Sequence, residues 1–361
     1  MIEGLRRNGV VVLECHQSLW QGIEDRVWVA SGNFWRPSFI WRVVCAYCRL
    51  IRAYLRIGAY DVLVVGYPGH LDVILARILA WLSRRPLVMD IFMSPYLIAS
   101  ERGLVTSHRL TGRLLHLLEH AVYQLPDRLI QDTEAYVEWF HKSFGLDADR
   151  FRLVPTGADD TVFRPFLKGP RTDEFRVVYY GTFIPNHGVT HIVDAARHLL
   201  DEADVAFELI GEGPDLDRAK ALVERHGLTN VHFLGWLSQP AMVDRLRDAS
   251  VCLGAFGTTP QSLMTIQNKI YECLALRMPV VTGDSPPLRD AFEHRRHLYM
   301  VERANGAAIA SAIKGLHSDP ELLTEMAQAG HERFLEHYTP SALGARFRQH
   351  LLELLPSSVK A

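Results

Sequence analysis

Residues 268–284 read NKIYECLALRMPVVTGD, a helix-length amphipathic run that changes abruptly into a short apolar run ending in Gly283-Asp284. An apolar run rich in valine directly after a helix is typical of a buried strand in a parallel sheet. Lys269 and Glu272 stand three residues apart in the first turn of that helix, where they share one face. The stretch therefore predicts an α/β unit whose helix carries a cation and an acid at its amino end.

The same alternation of strand and helix runs through the chain in two series. The predicted strands of the first series lie at 10–16, 61–67, 86–92, 128–133 and 151–157, and those of the second at 175–181, 205–211, 230–236, 251–256 and 279–284. Strands that alternate with helices indicate parallel sheets covered by helices on both faces. We therefore expect an α/β protein with two doubly wound, Rossmann-like domains that face a cleft.

Domain boundaries follow from composition. Residues 159–174 contain two prolines, one glycine and mixed charge, which is typical of a linker. The sequence predicts an acceptor-side domain at 1–165, a donor domain at 172–338, and a terminal helix at 339–361 that packs back on the first domain. The opening segment reads as a helix that stops at Gly9, although a doubly wound domain normally opens with a strand. The first domain is thus expected to lack its opening strand, unless the start codon is misplaced.

Length and composition exclude several classes of protein. The chain has 361 residues, enough for two cores, and a net charge of -2, which gives no overall attraction for nucleic acid. Five cysteines suit a reducing compartment, and no apolar run has the length that spans a bilayer. We expect a cytoplasmic protein, with or without attachment at the inner membrane face. Cys45 and Cys48 match C-x-x-C on a predicted helix without a second pair, which favours packing beside a core over metal or redox chemistry.

One predicted helix is rich in arginine and aromatic residues. The run FIWRVVCAYCRLIRAYLRIG (39–58) places four arginines within about 80° of one another on a helical wheel. These are Arg42, Arg49, Arg52 and Arg56. A basic, aromatic helix suits an anionic membrane, where it can present a lipid-linked acceptor. A solvated face of an ordinary sheet-covering helix is an equally good interpretation.

Three turns in the second half have the chemistry of phosphate binding. A strand ends at Gly181 before a loop that reaches a helix near Gly188, and a second strand ends in GEGP (211–214). Glycine turns that lead into helix amino ends can cradle phosphates, although a plain tight turn explains each equally well. At the third turn, Lys269 lies at the amino end of a helix, where the helix dipole disfavours a cation by about 0.3–1 kcal/mol. A nearby anion would offset this cost.

A diphosphate would be a suitable anion for Lys269, and Glu272 one turn later could accept hydrogen bonds from a ribose diol. The alternative is a surface salt bridge between the two residues, worth only a few tenths of a kcal/mol. Lysine is scarce, with six lysines among the 39 basic residues, so a lysine in the first turn is less easily explained as random surface. The functional interpretation is therefore favoured.

Taken in order, these segments resemble the donor domain of retaining glycosyltransferases of the GT-B fold, of the family 4 or group 1 type. The matching stretches are the strand end at Gly181, GEGP (211–214), HFLGW (232–236), NKIYECLALRMPVVTGD (268–284) and, ahead of them, VPTGADDTVFRP (154–165). The resemblance implies a hexosyltransferase that uses a UDP- or GDP-sugar, needs no metal or other cofactor, and serves polysaccharide biosynthesis. The implied acceptor is a glycan or a lipid-linked molecule, and no nucleic acid is expected as a partner.

The resemblance also assigns roles, with departures. Glu272 is similar to the second glutamate of the family's E-x7-E element, which holds the ribose, whereas the first glutamate falls at Met264. Asn268 and Lys269 fit the variant P-N-K turn, with glutamine in place of proline. Arg277 occupies a usual glycine position. The family's diphosphate cations would fall near Thr182 and His187 and are absent, so Lys269, the Thr182 hydroxyl and backbone amides would replace them. The implied donor-binding residues are Gly181, Thr182, His187, Gly211, Asn268, Lys269 and Glu272.

In the first half, polar residues that follow strands should face the cleft. His70, Asp72, Asp90 and Tyr96 are candidates for holding the acceptor, and His70 and Asp90, together with Lys269, are the candidate catalytic residues. Each of the first-half residues, taken alone, is more often a cap or a satisfied core group. In DTE (132–134), the aspartate or the threonine can cap the next helix.

The mechanism that the resemblance implies needs little covalent chemistry from the protein. The departing β-phosphate takes the proton of the acceptor hydroxyl on the same face, while amides and cations hold the growing charge. The sequence contains no H-E-x-x-H motif and no Cys/His cluster, which suits metal independence. Alternative hypotheses are a non-catalytic protein that binds a nucleotide sugar or a partner, and a sugar-nucleotide epimerase of the same fold. A dinucleotide oxidoreductase is the least favoured, since no G-x-G-x-x-G follows a strand.

Overall fold

The computed structural model describes residues 1–19, 37–107, 109–166 and 174–356. Its first lobe contains strands β1 to β4 at Leu63–Val65, Leu87–Asp90, Arg128–Gln131 and Phe151–Leu153. Its second lobe contains strands β5 to β10 at Phe175–Tyr180, Val205–Ile210, Val231–Gly235, Val251–Leu253, Val280–Gly283 and Tyr299–Val301. Part of the predicted linker, residues 167–173, lies outside the described residues.

Helices cover both sheets. The first lobe has α1 to α7 at Ile2–Arg7, Pro37–Tyr54, Asp72–Ser83, Pro95–Glu101, Leu104–Ser107, Arg109–Gln124 and Glu134–Phe144. The second has α8 to α15 at Val189–His198, Leu216–His226, Gln239–Arg247, Pro260–Met264, Asn268–Ala275, Pro286–Ala291, Gly306–Ser318 and Pro320–His337. A last helix, α16, spans Pro340–Glu353.

Both sheets are parallel, which confirms the predicted α/β architecture. The first sheet has the order β1-β2-β3-β4, and the second has the order β10-β9-β8-β5-β6-β7. In the second sheet the strand order reverses between β5 and β8, which are hydrogen-bonded neighbours. Ligands of open α/β sheets bind beyond the carboxyl ends of strands at such a reversal. The topology therefore predicts a ligand site at the loop that follows β5.

The second sheet is buried on both faces, as its apolar strands predict. Along β5, Val177 and Tyr179 pack in one apolar cluster, while Val178 and Tyr180 pack in the cluster on the opposite face. This alternation follows from the two-residue period of a strand. As a result, the two consecutive tyrosines at the end of β5 pack on opposite faces of the sheet, next to the loop where ligands are expected.

The predicted strand at 10–16 is wrong. This segment belongs to no strand, and Val11 is 83% exposed. Val10 and Val12 instead pack against an apolar cluster that includes Leu5 and Val88. This packing partly buries the valine-rich run without sheet hydrogen bonds. The opposite error concerns β10, which was not predicted.

The terminal helix α16 packs against the first lobe. Phe347 and Leu351 of α16 share an apolar cluster with Leu5 of α1. The two backbones approach closely, since a Cβ added at Gly344 would lie 2.1 Å from the carbonyl oxygen of Gly4. The chain therefore runs from the first lobe through the second and returns to the first.

Helix α2 confirms the helix predicted at 39–58, although it ends at Tyr54, before the last arginine of the stripe. Arg49 and Arg52 are exposed on it. Cys48 is also exposed, so the expectation of packed thiols fits only the half-buried Cys45. Among the described helices, none combines the length and the apolar character that crossing a bilayer requires. The membrane contact suggested for the arginine stripe stays a prediction.

Candidate functional site

Two glycine turns meet beyond the carboxyl ends of β5 and β6. Gly181 and Gly211 have φ angles of +135° and +137°, a region that glycine adopts readily and other residues rarely do. A Cβ added at Gly211 would lie 2.0 Å from the carbonyl oxygen of Gly181. The Gly211 turn can therefore lie against the Gly181 backbone only because residue 211 lacks a side chain, whereas a Cβ at Gly181 would meet Nζ of Lys269 at 2.9 Å.

The loop from Thr182 to Gly188 is held by His187. The Nδ1 atom of His187 lies 2.6 Å from the carbonyl oxygen of Thr182, so this nitrogen carries the proton and donates. Burial, with Lys269 close by, lowers the pKa of His187 to about 3. The imidazole is therefore neutral at pH 7 and adds no positive charge to the site. The Thr182 side chain is exposed, and Gly188 precedes α8 as predicted, with a φ of +66°.

Helix α12 begins at Asn268, as predicted, and its amino end is open. The residue before it, Gln267, makes no side-chain hydrogen bond to the helix amides, and Asn268 itself is exposed. The free amides of a helix start carry partial positive charge and bind anions. Lys269 adds a full charge at the same end, so two sources of positive potential coincide.

Lys269 is a buried cation without a counterion. Its residue is 6% exposed, and its Nζ atom has no hydrogen-bond partner. Nζ lies 4.1 Å from the centroid of the Tyr179 ring and would lie 2.9 Å from a Cβ at Gly181. Burial lowers the pKa of Lys269 to about 7. Among the described ion pairs none includes Lys269, so the salt bridge to Glu272 that the sequence left open does not form.

Glu272 is oriented by Tyr180. The Tyr180 hydroxyl donates to Oε2 of Glu272 at 2.5 Å, and burial raises the pKa of this glutamate. The two tyrosines at the end of β5 thus support the two residues that the sequence singled out, Tyr179 under Lys269 and Tyr180 beside Glu272. Sequence reasoning missed both tyrosines. The only signal that the sequence offered was the pair of aromatic residues directly before the glycine turn.

Arg303 is a further residue that the sequence did not indicate. Its Nε donates to the carbonyl oxygen of Asp284 at 2.6 Å, and its Nη1 donates to the carbonyl oxygen of Gly257 at 2.8 Å and to Oγ of Ser262 at 2.9 Å. Burial lowers the pKa of Arg303 to about 10. The guanidinium therefore holds the segment between β8 and α12 in place. This segment includes α11, to which Ser262 belongs.

Helix α11 crosses from the second lobe to the first. Met264 packs in the apolar cluster of the first lobe, and its carbonyl oxygen accepts a hydrogen bond from Oγ1 of Thr133 at 2.6 Å. Glu101 of α4 accepts from the backbone N–H of Gln261 at 2.7 Å and from Nδ2 of Asn186 at 3.2 Å. Thr133 also caps α7, so in DTE (132–134) the threonine is the cap and the aspartate is not. The two lobes therefore meet along α11, and the crevice lies between their strand ends.

The protein itself engages the side chains of two first-lobe candidates, His70 and Asp72, and the backbone N–H of a third, Tyr96. His70 has Nδ1 at 3.1 Å from the carbonyl oxygen of Pro68 and Nε2 at 3.0 Å from the Tyr123 hydroxyl. Asp72 accepts from the Tyr47 hydroxyl at 2.7 Å. The backbone N–H of Tyr96 donates to Oε1 of Glu119 at 2.5 Å. His70 therefore has no ring nitrogen left for a substrate in this structure.

The fourth candidate, Asp90, has Asp132 as a neighbour. The sequence analysis considered Asp132 only as a helix cap. Asp90 ends β2 and Asp132 follows β3 at the same edge of the first sheet. Asp132 is 7% exposed, and both of its carboxylate oxygens lack a hydrogen-bond partner. Burial raises the pKa of Asp132 to about 8, with a smaller contribution from Asp90, whose own pKa burial raises to about 6. The acceptor side of the crevice thus holds two poorly solvated carboxyl groups.

Both halves of the chain match models of known families. Residues 174–319 match the family described as Glycosyl transferases group 1, and residues 1–157 match the family described as Glycosyl transferase 4-like domain. Together the two matches include the sites described above in both lobes, and residues 158–173 lie between the two matches.

Curated relatives carry the names of glycosyltransferases. The chain is 26% identical over 275 residues to an alpha-D-kanosaminyltransferase of Streptomyces kanamyceticus, a match that covers 72% of this chain and 68% of that protein. It is 24% identical over 183 residues to the lipopolysaccharide core biosynthesis glycosyltransferase LpsD of Rhizobium meliloti, with 50% of each chain covered. The chain thus spans about two thirds of the first of these proteins and half of the second.

Solved structures share the fold. Anabaena HepE in complex with UDP and glucose superposes with a TM-score of 0.66 at 16% identity, covering 90% of this chain and 83% of that one. A sucrose-phosphate synthase from Thermosynechococcus elongatus superposes with a TM-score of 0.67 at 19% identity, covering 90% of this chain and 79% of that one. At such identities the likeness concerns the two-lobed fold alone.

Proposed function

The chain belongs to the group 1, or family 4, glycosyltransferases and has the GT-B fold, and from this premise we propose that it is a retaining hexosyltransferase that uses a UDP- or GDP-sugar. The proposed acceptor is a glycan or a lipid-linked molecule. One observation carries the proposal: Lys269 is buried, and its Nζ atom has no hydrogen-bond partner, at an open helix start directly beside the Gly181 turn. A diphosphate is the anion that this combination of amides and cation fits.

The roles of the other residues follow from their positions. Lys269 and the first amides of α12 would hold the charge that grows on the leaving diphosphate. Glu272, which Tyr180 orients, would accept hydrogen bonds from the ribose. The stacked turns at Gly181 and Gly211 would let the diphosphate approach the backbone closely.

The transfer itself can proceed on one face of the sugar. The bond between the anomeric carbon and the β-phosphate oxygen breaks, a bond to the acceptor oxygen forms on the same face, and the acceptor proton passes to the leaving phosphate. Lys269 supplies the positive charge that a divalent metal would otherwise supply, so we propose that no metal is needed. Among the described residues, the single metal-capable group is Glu202, Asp204 and His317, at the amino end of β6. There His317 Nε2 lies 2.8 Å from Asp204.

A screen of UDP- and GDP-sugars, read out as nucleotide release with and without candidate glycan acceptors, tests the proposal. Activity should survive treatment with EDTA, and NMR of the product should show the anomeric configuration of the donor. Inversion of that configuration would refute the retaining mechanism. Tight binding without turnover would favour a non-catalytic role instead.

The affinity for UDP is expected to fall as the pH rises. In the free protein Lys269 is protonated below a pKa of about 7, and a bound diphosphate raises that pKa, so binding is strongest below 7. Above 7 the dissociation constant should rise by about tenfold per pH unit until the bound lysine also loses its proton. Calorimetric titrations between pH 7 and 9 measure this slope. A Lys269→Met variant should show a flat profile, and an equal slope in both proteins would contradict the assignment.

Glu272 can be tested through the ribose. We expect the wild-type protein to prefer UDP over 2′-deoxy-UDP by about 10- to 150-fold, since a hydrogen bond to a charged group contributes about 1.5–3 kcal/mol. In Glu272→Gln the preference should shrink to about threefold or less, because the amide accepts more weakly. Glu293→Gln, on the exposed loop where this residue pairs with Arg296, is the matched control. An unchanged preference in Glu272→Gln would show that this residue does not touch the ribose.

A further inference from the structure

Helices α3 and α6 cover the same face of the first sheet. Their buried residues pack with Leu87 and Met89 in one apolar cluster, whereas Val88 packs with residues of α1 and α16 in the cluster on the opposite face. Nη1 of Arg77, on α3, donates to the carbonyl oxygen of Leu125, directly after α6, at 3.2 Å. The two helices therefore lie side by side, on the face away from α1 and α16.

Helix α2 also lies beside α3. The Tyr47 hydroxyl, on α2, donates to Asp72 at the start of α3 at 2.7 Å. Near the end of α3, the Tyr60 hydroxyl lies 2.7 Å from that of Tyr54, on α2, and 2.6 Å from Oγ of Ser83. Contacts at both ends of α3 thus join it to α2. The outward faces of α2, α3 and α6 form one surface, which we call the outer helix surface.

The outer helix surface is apolar. Each of its three helices exposes four large apolar side chains, as many as all the described residues of the second lobe together. On α6, Leu110, Leu114 and Leu117 follow one another at helical spacing, and Leu110 is 82% exposed. Trp41 of α2 and Trp81 of α3 are 69% and 73% exposed. Contiguous apolar surface of this kind marks a site that binds a protein or a membrane.

Arginines are interspersed with these apolar side chains. The three helices contain six arginines and two acidic residues, Asp72 and Glu119, of which Glu119 is buried. Four of the arginines are exposed, and none of these four belongs to an ion pair among the described residues. The outer helix surface is therefore positively charged as well as apolar. The exposed arginines are Arg49, Arg52, Arg109 and Arg113.

A lipid surface of negative charge matches both properties. Apolar side chains of a peripheral helix enter the boundary between head groups and acyl chains, tryptophan favours this interface, and arginine is attracted to anionic head groups. A second copy of this chain would place arginines against arginines, because the three helices contain one acidic residue that is not buried. Nucleic acid would pair with the arginines but leave the leucines in contact with water.

We propose that the outer helix surface docks on an anionic membrane. This inference names a partner surface and does not depend on the reaction at the crevice. Helix α3 begins shortly after the carboxyl end of β1, at the edge of the sheet that borders the crevice. A lipid-linked acceptor in the same membrane would therefore be held on the acceptor side of the crevice.

Binding to vesicles tests the inference. The full chain is mixed with vesicles of phosphatidylcholine alone, or of phosphatidylcholine and phosphatidylglycerol in equal parts, and the vesicles are sedimented. The wild-type protein should bind the anionic vesicles at least about tenfold more tightly than the neutral ones, because the arginines contribute only when the lipid is charged. Binding to the anionic vesicles should weaken as the salt concentration rises.

Two double variants separate the contributions of charge and apolar contact. Arg109→Gln with Arg113→Gln should weaken binding to anionic vesicles by about 25-fold, since each basic side chain near the membrane surface contributes about fivefold. Leu114→Gln with Leu117→Gln should weaken binding to both kinds of vesicle by about tenfold or more, because the side chains that enter the lipid are lost. All four positions are exposed, so Tm and UDP affinity should stay unchanged.

Arg225→Gln on α9 and Leu335→Gln on α15 are the matched controls, since both residues are exposed in the second lobe. Each should bind vesicles like the wild-type protein. Equal affinity of the wild-type protein for neutral and anionic vesicles overturns the inference, as does binding that both double variants retain. A folded wild-type protein that binds no vesicles also overturns it, and light scattering then shows whether the surface joins two copies of the chain instead.

Discussion

Lys269→Met is expected to lower kcat/KM by about 100- to 1000-fold, equivalent to about 2.7–4 kcal/mol of lost transition-state stabilisation. The lysine lies at the open end of α12, where the leaving diphosphate is proposed to gain its charge. Methionine has a similar length and packs well against an aromatic ring such as that of Tyr179. The substitution therefore removes the charge and keeps the shape. Steady-state kinetics on the best donor measures the effect.

The same variant should raise the stability of the unliganded protein. Lys269 has a pKa lowered to about 7 from an ordinary value of 10.5, so folding is penalised while the lysine is charged in both states. The penalty is complete below pH 7 and fades as the pH rises toward 10.5. Lys269→Met should thus increase Tm by several degrees at pH 6 and by less at pH 10. Lys220→Met, at an exposed position on α9, should change neither Tm nor activity. Parallel losses of activity and stability in Lys269→Met would indicate a structural role.

Gly211→Ala is expected to destroy the nucleotide site and destabilise the second lobe by about 3 kcal/mol or more, since strained backbone and overpacking each cost about 1–3 kcal/mol. The added Cβ would lie 2.0 Å from the carbonyl oxygen of Gly181 and 3.2 Å from the Phe183 ring. Its φ of +137° is also unfavourable for alanine. Urea unfolding midpoints measure the loss of stability, and titration with UDP measures the loss of nucleotide binding.

Gly315→Ala is the matched control for this substitution. Gly315 lies within α14, and a Cβ added there meets nothing within 4 Å. Alanine should therefore stabilise the helix by about 0.5–1 kcal/mol and leave UDP binding unchanged. If Gly211→Ala unfolds at the same urea concentration as the wild type, the two turns are not stacked in solution.

Local patterns were sufficient to predict most of the fold. The start of α12 at Asn268 and the glycine turns at Gly181 and Gly211 were predicted because each depends on a few consecutive residues. The valine-rich run at residues 10–16 misled, since Val10 and Val12 pack on the first lobe without joining its sheet. Arg277 also adopts a φ of +58°, which explains why glycine is usual at that position in the family that the sequence resembles.

The parts of the site that come from distant segments were not predictable in this way. Nothing next to Glu272 in the sequence indicates that Tyr180 donates to it, because the two residues are 92 positions apart. Met264 looked like a missing glutamate, yet its side chain packs in the first lobe. Asp132 was considered only as a helix cap, and Thr133 performs that role. Burial without partners is visible only in three dimensions.

Met264 is an apolar contact between the two lobes, beside the hydrogen bonds that join them along α11. Its backbone belongs to the second lobe, while its side chain is 8% exposed within the core of the first. We expect an opening of the lobes at α11 to expose this thioether to water, at a cost of about 1.5–3 kcal/mol. Release of the spent nucleotide would then depend in part on the wetting of a side chain outside the nucleotide site.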